Sequence, residues 1–294
     1  MLTSPAKMPF RYLKTNNFIS HPFIKTVVYA NVFIAICAFA QVYLTTRLFH
    51  IPNDFKNNSY LVFILLATFL QYNMQRGYMM NVRHDFSERS QWLLKHKKKM
   101  FISVGISLAA ILFLCNELSW TSISIMVGAE ILSTLYYLPP INLRKHGYLK
   151  PFLVSLVWVA SCCLVPLIEN KLLSINSLWY IIAQFIFISV LCMLFDIKDM
   201  KFDFQSGVST YANKFGVRFT KVICVVGMLL FLGFSYMFHA DLSILISNLV
   251  LTLVSFFIIL ITNQQRHPFY YYFWIDGLLI FQTLLFFITS FCIT

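Results

Sequence analysis

Charge is scarce in this chain. Only 12% of its 294 residues are Asp, Glu, Lys or Arg, and only 11 are acidic. Soluble globular domains carry about 25% charged residues. Half that share, with a mean hydropathy of +0.72, excludes an ordinary soluble domain. Cysteine motifs are lacking too. Cys37, Cys115, Cys162, Cys163, Cys192, Cys224 and Cys292 fall within or at the edge of apolar runs, and none forms CxxC. That pattern argues against disulfides and thiolate metal ligands, and for small core residues. The opening stretch MLTSPAKMPFRYLKTNNFISHPF lacks a short apolar core with a small-residue cleavage site. No signal peptide is therefore expected, and the first apolar run is read as a retained span. No repeat of solenoid period is visible.

What the chain has is long apolar runs. Nine can be read, at roughly 23–48, 59–81, 100–115, 120–139, 151–169, 174–196, 218–238, 241–262 and 271–293. The expected fold is an all-α integral membrane protein, a bundle of about nine transmembrane helices. It forms one polytopic membrane domain over 1–294, with 1–22 as a cytoplasmic N-terminal arm.

The basic residues fall almost entirely at one end of this bundle. They crowd the N-terminal arm and the loops 82–99, 140–150 and 197–221, whereas the other end has only Arg47, Lys56 and Lys171. This asymmetry predicts a cytoplasmic N-terminus and a C-terminus outside. It also accounts for the net charge of +12 through contact with anionic membrane lipid, with no nucleic acid as partner.

One segment carries most of the chemical information. Asp196, Asp199 and Asp203 stand at i, i+3 and i+7 in LFDIKDMKFDFQSGVSTYANKFG, so a helix places them on one face. Three acids at a membrane boundary are costly unless something cationic meets them. A hard divalent ion such as Mg²⁺ suits carboxylate oxygens and leaves positions for phosphate. The blander alternative is a solvated helix end, salt-bridged through Lys198 and Lys201.

These residues resemble the UbiA superfamily of intramembrane prenyltransferases. The family's second aspartate-rich motif has the form DxxDxxxD, read here as Asp196-Ile-Lys-Asp199-Met-Lys-Phe-Asp203. A glycine-bounded stretch follows, here Gly207-Val-Ser-Thr-Tyr-Ala-Asn-Lys-Phe-Gly216. LYYLPPINLRKHGYLKP, residues 135–151, is similar to the family's aromatic-proline-basic loop after the fourth helix. The resemblance implies a UbiA prenyltransferase-like bundle in a bacterial inner (cell) membrane. It implies Mg²⁺ held by Asp196, Asp199 and Asp203, a polyprenyl diphosphate donor and a lipophilic, aromatic acceptor.

The chain departs from the family at the first aspartate-rich motif, NDxxDxxxD, due at the end of the second span. Aligned on Asn73, its three aspartates are replaced by Met74, Gly77 and Asn81. Asn73 and Asn81 offer only neutral carbonyl oxygens there. Arg76 lies inside the span and has two readings. It contacts diphosphate directly, as a guanidinium suits phosphate, or it is half of an ion pair whose best depth match is Asp276. Glu130 lies nearer mid-membrane and reads as a carboxyl bonded to Ser133, Thr134 or a tyrosine.

The expected site is therefore Asp199, Arg76 and Tyr72 at the reacting centre. Asn73, Arg83, Arg144, Lys145, Lys150 and Lys198 face the diphosphate, with Arg89 as a further candidate. Tyr72, Tyr78, Tyr136 and Tyr137 are candidates to face an allylic cation. His84, His96 and His146 have no ligand spacing. The expected function is Mg-dependent prenyl transfer within the membrane. The alternatives are a catalytically inactive relative that binds an isoprenoid lipid, favoured by the missing first motif, and a transporter using Arg76, Glu130 and Asp276.

Overall fold

The computed structural model describes residues 21–83, 87–139, 141–238 and 241–293. Most of the expected N-terminal arm 1–22 lies outside the described residues, as do His84 and the side chains of Asn81 and Arg83. Every regular element among the described residues is helical. In chain order they are α1 (Pro22–Tyr29), α2 (Val32–Leu48), α3 (Phe55–Arg83), α4 (Glu88–Lys95), α5 (Lys97–Leu114) and α6 (Trp120–Tyr137). The series continues with α7 (Lys150–Glu169), α8 (Ile175–Gln205), α9 (Tyr211–Phe238), α10 (Leu242–Ile261) and α11 (Pro268–Cys292).

Six of these helices are long and apolar enough to cross a membrane: α5, α7, α8, α9, α10 and α11. The bent pair α1–α2 makes a seventh if taken as one span. The expected second and fourth spans exist as the helices α3 and α6 but fall short of that hydropathy. The reason is chemical: α3 carries Gln71, Asn73, Gln75 and Arg76, and α6 carries Glu130. Large apolar side chains such as Phe101, Ile106, Phe113 and Trp120 stand exposed on the outside, as a lipid-facing surface requires.

Local breaks have identifiable causes. α1 and α2 meet at 66°, where Asn31 takes a left-handed conformation with φ 64°. Asparagine tolerates that region better than most residues. Asn31 is pinned there, because its Nδ2 donates to Asn73 Oδ1 at 2.9 Å and its own Oδ1 accepts from Arg89. α7 contains a π-turn at Ala160–Leu164 just before Pro166, whose missing N–H interrupts the helical ladder. A second π-turn, Tyr271–Ile275, opens α11.

Two expected boundaries moved in ways that shape the site. The sixth apolar run ends near 196, yet α8 continues to Gln205, so the whole acidic trio is helical. Ser174 and Ser177 start that helix with a capping box. The loop 82–99 is not all loop: α4 forms within it, capped by Ser87, whose Oγ accepts from Ser90 N–H. α4 is tied to α1 by Glu88, which accepts from Lys25 Nζ at 2.8 Å and from Tyr29 Oη at 3.1 Å.

Candidate functional site

The basic ends of α1–α4, α6–α8 and α11 enclose a chamber of about 280 Å³. Tyr72, Gln75, Arg76 and Met79 reach it from α3, Arg89 from α4, and Tyr136 from α6. Arg144 enters from the following loop, Lys150 and Trp158 from α7, Phe195, Lys198 and Asp199 from α8, and Tyr272 and Asp276 from α11. A narrower, largely apolar cavity of about 120 Å³ adjoins it between α3, α6 and α7. Tyr72, Gln75, Tyr136, Val154 and Trp158 line both spaces. A chamber with five cations in its wall thus adjoins a largely apolar cavity, and Glu130 lines that cavity with Thr134 Oγ1 donating to it at 3.4 Å.

The acidic ridge is helical as expected, but its three members differ in surroundings. Asp196 and Asp203 are fully buried. Lys150 Nζ lies 2.5 Å from Asp196 Oδ1 and 3.1 Å from Asp203 Oδ2. Arg144 Nη2 donates to Asp203 Oδ1 at 3.1 Å. Neither oxygen of Asp196 accepts a hydrogen bond of good geometry, so its charge is met by the nearby ammonium rather than by directed bonds. Asp199 faces the chamber, 3.5 Å from Lys198.

Aromatic faces hold two of the cations. Arg89 lies over the Tyr272 ring at 4.6 Å, and Lys198 lies over the same ring at 4.4 Å. Lys198 Nζ also donates to Tyr272 Oη at 3.3 Å. Arg89 Nε donates to Tyr29 O at 3.2 Å, and Arg76 Nη2 donates to Ser87 and Ser90 Oγ at 3.2 and 3.0 Å. Such contacts fix planar guanidinium groups in place before any ligand arrives.

Several expected residues stand elsewhere. Asn73 is not on the chamber wall: its Nδ2 donates to Ala30 O and Phe69 O while its Oδ1 serves Asn31, so its role is to hold the α1–α2 bend. Lys145 is exposed and away from both cavities. Tyr78 and Tyr137 pack against each other at 5.3 Å and line neither cavity, while Tyr72 and Tyr136 line both. Arg76 and Asp276, expected at matching depth, line the same chamber.

Met74 and Gly77 are exposed. The chamber-facing residues Tyr72, Gln75 and Met79 have the same i, i+3, i+7 spacing as the acidic ridge opposite. None of these three is acidic. Gln75, Trp158 and Tyr272 were not anticipated. Gln75 was findable from its spacing to Tyr72, whereas Trp158 and Tyr272 reach the site only through packing of distant helices.

Magnesium was expected on Asp196, Asp199 and Asp203, and the residues present do not fit it. Among the described residues no three acidic, histidine or cysteine side chains converge so as to hold a metal ion. Lys150 and Arg144 already meet two of the carboxylates, and the facing ridge of α3 offers none.

No family model matches the sequence, and no curated protein matches it. Solved structures do match in shape. A UbiA homologue from Aeropyrum pernix K1, in its apo form, superposes with a TM-score of 0.61 at 9% identity, covering 92% of this chain and 98% of that one. A UbiA homologue from Archaeoglobus fulgidus gives 0.62 at 15% identity, covering 90% and 98%. At such identities the likeness is one of fold: this chain is an all-α integral membrane protein with the architecture of UbiA homologues.

Proposed function

We propose that this chain is an intramembrane prenyltransferase, moving a prenyl group from a polyprenyl diphosphate to a lipophilic, aromatic acceptor. The observation that carries the reading is the junction of two spaces. A chamber lined by Arg76, Arg89, Arg144, Lys150 and Lys198 adjoins a largely apolar cavity between helices, and the two share part of their walls. A molecule with an anionic head and a long hydrocarbon tail matches that junction. The basic-loop asymmetry supports a head at the cytoplasmic leaflet.

The residues suggest how the reaction proceeds. The tail lies along α3, α6 and α7, and the diphosphate lies among the five cations. As the allylic C–O bond breaks, negative charge grows on the departing diphosphate, and fixed cations in a water-poor site stabilise that growth. Tyr72, Tyr136 and Trp158 present rings where the two spaces meet, and ring faces stabilise the allylic cation. The acceptor's π-electrons form the new C–C bond, and its proton is lost. Asp276 is the carboxyl placed to take that proton, since Asp199 is matched by Lys198.

Lipid mass spectrometry of cells with and without the gene tests this. A prenylated lipophile should disappear on deletion, return with the intact gene and stay absent with Arg89→Gln. An unchanged lipid profile would contradict transfer. If purified protein still bound the diphosphate in that case, the non-catalytic lipid-binding alternative would stand.

A further inference from the structure

A two-ridge metal site needs carboxylates on both helices that face the ion. Here α3 presents Tyr72, Gln75, Arg76 and Met79 to the chamber. The ridge that does carry acids has its cations built in. Lys150 Nζ stands between Asp196 and Asp203, at 2.5 and 3.1 Å, and both carboxylates are fully buried. Arg144 supplies Asp203 with a second cation. Magnesium demands oxygen ligands at about 2.0–2.1 Å in near-octahedral array. The 2.5 Å approach of the ammonium to Asp196 leaves no such place between them. The chamber wall carries five cations, Arg76, Arg89, Arg144, Lys150 and Lys198, against two carboxylates, Asp199 and Asp276.

We propose that Lys150 holds the position a divalent cation would otherwise take between Asp196 and Asp203, and that the chamber captures a lipid diphosphate with side-chain cations alone. This deepens the prenyl diphosphate reading, on which it rests, by naming how the headgroup is held. Lys150 and Arg144 cancel the repulsion that Asp196 and Asp203 would exert on the anion. Arg76 and Arg89 meet the headgroup from the α3–α4 side, where acids with bridging ions would otherwise be needed. Lys198 meets it from α8, held under the Tyr272 ring. Guanidinium groups suit this task because they grip phosphate oxygens in pairs and do not lose their charge.

The test is binding of a non-hydrolysable prenyl thiodiphosphate to the purified full-length chain in nanodiscs, with EDTA and with magnesium. The dissociation constants in the two conditions should agree within about threefold. Arg89→Gln should weaken binding in EDTA by about tenfold or more, as loss of a charge-assisted bidentate contact does. Binding seen only with magnesium would overturn the inference and leave the prenyltransferase reading intact. No binding in either condition would overturn both. Binding in EDTA that is indifferent to Arg89→Gln combined with Arg76→Gln would place the anion elsewhere and overturn the inference. Lys150→Ala should make binding magnesium-dependent; retained metal-free binding in it would remove Lys150 from its assigned role. The wild-type comparison decides the metal question even where that variant fails to fold.

Discussion

Single residues divide here into those that touch the chamber and those that hold its walls. Asn73 shows how easily the two are confused. Its place at the head of a motif suggested a ligand, but its three amide contacts fasten the α1–α2 bend. Asn73→Ala should therefore cost about 1–3 kcal/mol of stability by leaving buried partners unsatisfied, read as a lower thermal midpoint in detergent. Glu88 makes a second, pH-dependent fastening. Its hydrogen bond from Lys25 holds its carboxyl below the ordinary glutamate range, with Tyr29 adding to the effect. A depressed folded-state value means that this contribution is complete above the unfolded value. It is lost as pH falls through the folded one. Amide protection over 23–29, corrected for the intrinsic pH dependence of exchange, should fall on acidification below that range and change little between neutral and mildly acidic pH; Glu88→Gln should show the low protection throughout. The acidic trio was legible because helical spacing is a local property. The cations that answer it were only partly so, since Arg144 and Lys150 sit far along the chain from Asp203 and meet it by tertiary packing.

At the level of elements, the site is built where two loops touch. Gly147 lies in the segment between Arg144 and Lys150, and a β-carbon there would sit 2.4 Å from Ser209 O. No side chain fits, so glycine sets how closely the 140–150 loop approaches the loop between α8 and α9. Gly147→Ala should force the loops apart and loosen the Arg144–Asp203 contact. The expected result is diphosphate affinity reduced about tenfold or more with the helices still formed by circular dichroism. Unaltered affinity would show that the loop contact does not position Arg144. Gly216 acts differently. It interrupts α9 with φ 87° and ψ 167°, a region nearly reserved for glycine, while the space around it is open. Gly216→Ala should therefore cost about 1–3 kcal/mol through backbone strain, read as a lowered unfolding midpoint. Element positions were readable from apolar runs to within a few residues. The ends were not, because α8 and α3 extend as polar helices beyond their apolar runs and hydropathy says nothing about polar turns that pack on neighbours.

For the whole molecule, hydropathy and fold carry different information. Six helices pass as spans and a bent pair adds a seventh, while α3 and α6 are too polar to pass, and those two flank the channel. A polar lining thus hides spans from a composition test. The sequence showed that the first aspartate motif is missing and that Arg76 lies in its span; which face of α3 turns inward, bringing Tyr72, Gln75, Arg76 and Met79 to the chamber, came from the structure. The basic asymmetry predicts the orientation: cysteines introduced at Lys56 and Lys145 should react with an impermeant thiol reagent from the outer and the cytoplasmic side respectively. The most direct measurement of the central claim is photolabelling with a prenyl diphosphate that carries a cross-linker on its tail. The account predicts adducts on α3, α6 and α7 peptides bearing Tyr72, Tyr136 and Trp158, suppressed by unlabelled prenyl diphosphate. Labelling spread over the outward-facing α5, and not suppressed by competitor, would contradict it.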